Sequence, residues 1–379
     1  MKMELPILSV RPNADARSAR SPHAHTHPHA EPPLRRAPSH IRHLIDSFSR
    51  PIRDLRISIT DRCNFRCVYC MEPDARFLPH AELLSPAHFA RLAKICTSLG
   101  IRKIRLTGGE PTLRPDLPEI IRLIRDLAKP DEIALTTNGS LCTDQSLLTW
   151  KAAGLSRLTF SLDAVDQSLF TSTTRSNSSA AEVIAAIRRA QSAGFSTIKL
   201  NAVIVRGLND SQILPLAQLA LDLNIAVRYI EYMPLDEAHA WNRDKLVPAH
   251  EILSTIQSRH PLTPIPSPDP SSTSENFLFS NPSTHAPSAS VGVIAPVTRS
   301  FCNRCSRLRI TAEGKVRPCL FSINEWSLRD LLLNHAESPD SDALIAQRLI
   351  DICWSKQAGH TINADSFQQP ARPMSAIGG

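Results

Sequence analysis

Apolar and polar positions change rhythm several times along the chain. Over 53–60 they alternate, the period-2 pattern of a strand with one buried face. From Ser85-Pro86 the period lengthens. Phe89, Leu92, Ala93, Cys96 and Leu99 share one side of a helix that Gly100 ends. A strand over 103–107 follows. The alternation then repeats as helix 116–128 and strand 133–137, helix 144–152 and strand 157–163, helix 180–193 and strand 197–205, and helix 211–223 and strand 226–233. Six strand–helix steps within residues 51–250 predict a parallel α/β architecture. A partial barrel and an open doubly wound sheet both satisfy that pattern.

The flanks have a different texture. Residues 1–50 are rich in Pro, His, Arg, Ser and Ala and are read as a disordered extension, with His23, His25, His27 and His29 alternating in a solvated tail. The α/β body occupies 51–258. The Pro-, Ser- and Thr-rich stretch 259–290 is read as a loop. A last ordered segment, 291–379, ends in Gly378-Gly379. Apolar residues make up 42% of the chain, enough for a sizeable core, yet no run reaches the roughly 18 apolar residues of a membrane span. The apolar start is short and broken by Glu4 and Pro6, which argues against a secretory signal; Asp15, Glu31 and Asp46 argue against a mitochondrial transit peptide. The expected location is the cytoplasm, ahead of the mitochondrial matrix. Of the formal charge of +7, residues 1–50 supply +4, from eight Lys/Arg against four Asp/Glu. The body is thus only mildly basic, which speaks for no nucleic-acid partner and suits a small anionic substrate.

Candidate chemistry gathers around cysteine. The nine cysteines are odd in number and clustered, a pattern of metal or cluster ligation rather than of disulfides. Cys63-x3-Cys67-x2-Cys70 directly follows the first strand. Three thiolates this close can hold three irons of a cubane cluster and leave the fourth iron open to a chelating ligand. A structural zinc site takes four protein ligands. Gly108-Gly109-Glu110-Pro111 follows the second strand and lets backbone approach a ligand closely. The later strands end in Thr136-Thr137-Asn138, Ser161-Leu162-Asp163, Lys199-Leu200-Asn201 and Glu231-Tyr232-Met233, where a parallel barrel gathers its site. For any one of them, capping the strand is an equally good reading. Lys199, between Ile198 and Leu200, needs an anionic partner if it points inward. A second trio, Cys302-x2-Cys305-x13-Cys319, again lacks a close fourth cysteine; zinc there would have to recruit Cys353 or a histidine. Arg307 and Arg309 flank Leu308 and suit phosphate or purine recognition. Cys96, Cys142 and Cys353 are read as buried, unreactive thiols.

The first cysteine motif, with Tyr69 before its last cysteine and the Gly-Gly-Glu-Pro segment beyond, resembles the radical S-adenosylmethionine (SAM) superfamily. The similarity runs from Arg53-Asp54-Leu55-Arg56 to the last residue. It takes in Arg105, Thr136 to Gly139, Ser161 to Ala164, Glu231 to Met233, the second trio with its Arg-x-Arg, and the Gly-Gly end. In that combination the chain resembles the GTP 3′,8-cyclases of molybdenum-cofactor biosynthesis. The resemblance implies an incomplete parallel (β/α)6 TIM-like barrel with a C-terminal extension carrying a second iron–sulfur cluster. It implies a lyase with two [4Fe–4S] clusters, held by Cys63, Cys67 and Cys70 and by Cys302, Cys305 and Cys319. SAM would contact Tyr69, Gly109, Ser161 and Met233. GTP would contact Arg56, Arg105, Thr136, Lys199, Arg307 and Arg309, of which Arg56, Arg307 and Arg309 are the catalytic candidates. A radical made from SAM would take the ribose 3′ hydrogen, and the sugar carbon would close onto C8 of guanine. The Gly-Gly tail would reach into the barrel and assist turnover. Further implied partners are an electron donor and the downstream cyclic pyranopterin synthase, with a homodimer as one assembly open to the chain. The other reading kept is a different radical SAM enzyme with one auxiliary [4Fe–4S] cluster. One departure from the family is Ser49, which stands where glycine is often found before the arginine that opens the motif.

Overall fold

A computed structural model describes residues 31–267, 269–280, 289–334 and 337–378. Six parallel strands follow one another in chain order: β1 (Asp54–Ser58), β2 (Lys103–Thr107), β3 (Glu132–Thr137), β4 (Arg157–Ser161), β5 (Ile198–Ile204) and β6 (Ala226–Glu231). Helices α1 (Pro86–Ser98), α2 (Leu117–Ala128), α3 (Asp144–Ala153), α4 (Gln167–Thr174), α5 (Ala180–Ser192) and α6 (Ile213–Asp222) make the crossovers, and α7 (Ala249–Gln257) follows β6. Local chemistry explains the boundaries. Ser85 caps α1 through the His88 amide and Pro86 opens it, while Thr143 and Ser179 cap α3 and α5 in the same way. Gly154, in the left-handed region at φ 119°, closes α3.

The parallel run does not stop at six strands. From the C-terminal segment, β9 (Ser290–Ile294) adds in parallel beside β6, and β10 (Arg307–Ile310) adds in parallel beside β1. Antiparallel strands extend both edges: β7 (Leu262–Ile265) and β8 (Glu275–Phe279) beyond β9, and β11 (Lys315–Arg317) and β12 (Trp326–Ser327) beyond β10. Among the described residues no ladder joins the two ends of this order, so the barrel is incomplete. Strand alternation sorts the side chains. Leu55, Ile57, Ile104, Leu106, Leu200, Ala202, Val227 and Tyr229 are buried against the helices and form the main core. The other face of each strand points into the lumen, and there the residues are mostly polar. Helices α8 (Arg329–Leu333), α9 (Pro339–Trp354) and α10 (Met374–Ile377) complete the chain, with α9 packed against α1.

Two expectations about the flanks need correction. Residues 32–50 do not belong to a disordered extension. Trp326 donates its indole N–H to the Pro32 carbonyl at 3.0 Å, the Ala37 amide donates to Asp351 at 2.9 Å, and Leu44 is buried in the main core. Averaged composition hid a few well-placed anchors. Residues 1–30, with the alternating histidines, lie outside the described residues. The stretch 259–290 is likewise not a plain loop, because β7 and β8 form an antiparallel pair within it; 281–288 lie outside the described residues. Pro264 sits on β7, the last strand of the sheet order, where a missing backbone N–H costs no central ladder bond. Another helix, α4, was missed because its Ser- and Thr-rich sequence has low helix propensity; Asp166 caps it at the Leu169 amide.

Candidate active site

Both cysteine trios open onto one cavity of about 280 Å³ inside the barrel. All six thiols are free. The first trio lies on the loop after β1. That loop is fixed by the Arg66 and Val68 amides, which donate to the Thr174 and Thr173 carbonyls at the end of α4, and by Asn138, which donates to Asn64 at 2.8 Å. Gly108 and Gly109 lie against the backbone of residues 60–62, where a Cβ on either would collide with a carbonyl oxygen. The glycine pair is thus required by the packing of the cysteine loop, and Gly109 still lines the cavity.

The glutamate that follows lines the cavity and is held in a fixed orientation. Buried Glu110 accepts from Thr112, the Thr137 hydroxyl and the Asn138 amide. Tyr69 lines the cavity and donates its hydroxyl to Asp163 at 2.6 Å. Burial, offset by this bond and by the Val203 amide, leaves the Asp163 carboxyl at about 6. Ser161 and Met233 complete the wall on this side.

Across the lumen the strand register builds a cationic row. Arg309 on β10, Arg56 on β1 and Arg105 on β2 are direct partners on adjacent strands. Arg105 is aimed by the hydroxyls of Thr136 and Thr159, at 3.0 and 3.1 Å. Arg307 faces the same way two residues before Arg309, with its guanidinium 5.4 Å from the Phe301 ring. Arg228 on β6 joins them from the far side: it lines the same cavity as Arg307 and Arg309 of β10, so the sheet curls until β6 and β10 face each other. Burial and then mutual repulsion act against these charges, pressing Arg105 and Arg309 to about 9 and Arg228 to about 10. A guanidinium does not surrender its proton in practice, so the row is a strained cationic surface that an anion would relax.

Lys199 was expected at a strand end, but β5 continues to Ile204, so it sits near the start of its strand. It points inward, is the register partner of Thr159, and is pressed to about 7 by burial and by Arg228, Arg157 and Arg105. It does not itself line the cavity. Glu231 was also read among the strand-end contacts, yet its carboxylate is consumed by the Ala249, Val297 and Thr298 amides and the Thr298 hydroxyl. Arg228 escaped the sequence reading, although its setting between Val227 and Tyr229 repeats that of Lys199.

The second trio faces the arginine row from the C-terminal segment, and its surroundings differ from those of the first. Burial pushes the Cys63 thiol up to about 11, the Cys70 thiol to about 12 and the Cys67 thiol well above its usual value. Cys302 is also pushed up by burial, but hydrogen bonds from His360 and Ser300 more than reverse this and bring it to about 6. At Cys305 burial is likewise overcome, here by Lys356 and Arg307. Among the described residues, no three His, Cys, Asp or Glu side chains converge as the ligands of one ion do. Both trios line the cavity, and three thiolates are the number a cubane with one open iron takes. The C-terminal end enters the same barrel: Ser375 reaches Cys70, and the Gly378 carbonyl accepts from Arg309. Gly379 lies outside the described residues. Cys96, Cys142 and Cys353 are buried.

This barrel and its cysteine loop define a radical SAM enzyme. The family model of the radical SAM superfamily matches residues 57–220, and that of Molybdenum Cofactor Synthesis C matches residues 225–362. A solved structure of Streptococcus suis SuiB bound to S-adenosylmethionine shares the fold, with a TM-score of 0.55 and 14% identity over 86% of this chain and 76% of that one. Sequence relatives narrow the class. The GTP 3′,8-cyclase of Mycolicibacterium smegmatis is 43% identical over 340 residues, covering 89% of this chain and 92% of the relative. That of Corynebacterium glutamicum is 41% identical over 342 residues, covering 89% of each. The chain belongs to the GTP 3′,8-cyclase family, whose cofactors are SAM and two [4Fe–4S] clusters.

Proposed function

We propose that this chain binds SAM and GTP together in the barrel and converts GTP to (8S)-3′,8-cyclo-7,8-dihydroguanosine 5′-triphosphate, an early step of molybdopterin synthesis. One observation carries the reading: two incomplete thiol trios share a single cavity with the arginine row. Cys63, Cys67 and Cys70 would hold the first [4Fe–4S] cluster, with SAM against Tyr69, Gly109, Ser161 and Met233. Cys302, Cys305 and Cys319 would hold the second. When bound, SAM and the first cluster supply the one-electron cleavage that begins radical chemistry on the ribose. The chain's own residues do the rest. Arg56, Arg105, Arg307 and Arg309, with Lys199 behind them, bind and orient the triphosphate; Thr136 holds Arg105 on its target. The buried barrel wall keeps water from the reacting carbon.

The same reading supplies partners. An electron donor must reduce the first cluster, and a cyclic pyranopterin synthase would consume the product. The cytoplasm, ahead of the mitochondrial matrix, is the expected location, and a homodimer is one assembly open to the chain. No helix of the described residues is long and apolar enough to cross a membrane.

Anaerobic incubation with SAM, reductant and GTP tests the reading. The expected products are 5′-deoxyadenosine and a cyclised nucleotide in equal amounts. 5′-Deoxyadenosine without a GTP-derived product would move the protein to another radical SAM reaction. A colourless zinc protein that leaves SAM intact would refute the proposal. The Cys319→Ser variant should keep about four of about eight irons, retain SAM binding and lose cyclisation. Full turnover by that variant would show the second site to be misread.

A further inference from the structure

Lys356 is 3% exposed, yet among the described residues it forms no ion pair. Its Nζ lies 3.5 Å from Cys305 Sγ and 2.5 Å from the Arg307 carbonyl. A lysine just past a helix C-terminus usually serves that helix's last carbonyls. Here only the backbone amide does so, donating to the Cys353 carbonyl; the ammonium turns away to the cysteine. An ammonium buried without a carboxylate is costly unless another anion accompanies it. The nearby candidates for that anion are the thiols of the second trio.

Four residues on, His360 turns to the same trio. It lies within hydrogen-bonding reach of Cys302 and packs edge-on against Phe321, with ring centroids 5.1 Å apart. Its Nδ1 is buried and has no hydrogen-bond partner among the described residues, and the ring lines the cavity. Gly359, between them, lies so close to Cys302 that a Cβ there would stand 3.1 Å from the cysteine Cβ. The loop is also bolted in place from outside. Arg50 donates to the Cys302 and Ala358 carbonyls, both at 2.5 Å, and to the Gln357 carbonyl at 2.7 Å, while its Nε is held by Asp46 at 2.6 Å. One guanidinium therefore ties the cysteine turn to the 356–360 loop.

We propose that the Lys356–His360 loop is a positioning element that sets the reduction potential of the second cluster, Lys356 by balancing its charge at Cys305 and His360 by hydrogen bonding at Cys302. The physics fixes the sign. A cubane held by three thiolates is net anionic, and reduction adds a further negative charge. A fixed cation at 3.5 Å from a ligand sulfur stabilises the reduced form more than the oxidised one. Hydrogen bonds to ligand sulfur act in the same direction. The first trio has a different balance. Tyr69, Ser375 and the Phe65 amide hydrogen-bond its sulfurs and Arg66 faces Cys63, but the carboxylates Glu110, Asp163 and Glu237 act against them. The main groups acting on Cys302 and Cys305 are instead His360, Ser300, Lys356 and Arg307, with no carboxylate among them. The two clusters are thus built for different potentials, the second more easily reduced than its bare thiolate cage would be.

The inference rests on the second cluster assigned above, and the test separates the two. The anaerobic holoenzyme is titrated potentiometrically and followed by electron paramagnetic resonance, with SAM used to mark the first cluster's signal. Wild-type protein showing a single cluster would defeat the cluster assignment itself. With two clusters present, Lys356→Met should lower the reduced-to-oxidised ratio of the second at fixed potential about tenfold, a 59 mV shift for a one-electron couple. The first cluster should not move, and Lys356→Arg should restore the wild-type value. His360→Gln, at a half-buried position where loss of fold is not expected, should shift the second cluster in the same direction. It stands in for Lys356→Met if that variant does not fold. An unchanged second-cluster potential in a folded variant of either residue, or equal shifts in both clusters, overturns the proposal.

Discussion

Two single residues carry consequences that can be measured directly. Ser49 has φ 62°, in the left-handed region that favours glycine. It is held there because its amide donates to the Asp46 carbonyl and its neighbours Phe48 and Arg50 donate to the Asp46 carboxylate. That turn aims Arg50 at the second cysteine site. Ser49→Gly should stabilise the protein by about 0.5–1 kcal/mol, the steric cost of the left-handed turn less the extra chain entropy of glycine. Urea unfolding checks this, and a lower midpoint would show that the serine is not strained. The family departure at Ser49 was visible in the sequence, but the reason glycine is favoured there was not, since a backbone angle leaves no mark on composition. Lys199 gives a pH signature. Burial and its arginine neighbours lower its pKa to about 7 from an ordinary 10.5. Between those values the unfolded chain holds the proton and the empty barrel does not, so this residue makes the empty protein more stable as pH rises. A bound triphosphate returns the proton. GTP affinity should therefore fall as pH rises above about 7, and Lys199→Met should flatten that slope. Identical pH profiles for the two proteins would remove Lys199 from the anion site.

Elements show where sequence pattern is a good guide. The strands β1 to β6 were legible because one face packs on helices and the other faces a lumen, so Leu55–Arg56–Ile57 and Val227–Arg228–Tyr229 alternate cleanly. What the alternation could not reveal is register. Only pairing brings Arg309, Arg56 and Arg105 side by side, and like charges opposite one another on adjacent strands are destabilising. The sheet keeps them because binding, not stability, is served. Arg228 tests this trade directly, since it lines the cavity and is repelled by Arg157 and Arg307. Arg228→Met should raise the melting temperature of the ligand-free protein. It should weaken GTP binding about 10- to 100-fold, the range of a charge-assisted hydrogen bond. Both changes are required; a variant that loses affinity and stability together would mark Arg228 as structural.

At the scale of the whole molecule, the cysteine spacings announced two sites, but their meeting in one cavity is a property of the curled sheet. β10 brings the second trio beside β1 across more than 240 residues of chain, a closure that no local pattern encodes. The role of residues 32–50 was equally hidden. Their anchors are isolated: Leu44 in the core, Ala37 and Arg36 on Asp351 of α9, and the buried Asp46–Arg50 pair on the Cys302 turn. A composition window averages such positions away. Physically this strap is part of the C-terminal site, because it joins α9 to the loop beneath the second trio. A chain beginning at residue 51 should therefore fold less stably than one beginning at residue 32. Burial of Leu44 alone contributes about 1.5–3 kcal/mol, and the carbonyls that Arg50 holds would lose their buried donor. The loss should not spread evenly. The first trio is fixed by α4 and Asn138, which the strap does not touch, whereas the second depends on the turn that Arg50 bolts down. Iron analysis of the shorter chain should give about four irons, with SAM binding intact, against about eight for the longer one. Equal iron contents would show that the strap stabilises the barrel without shaping the second site.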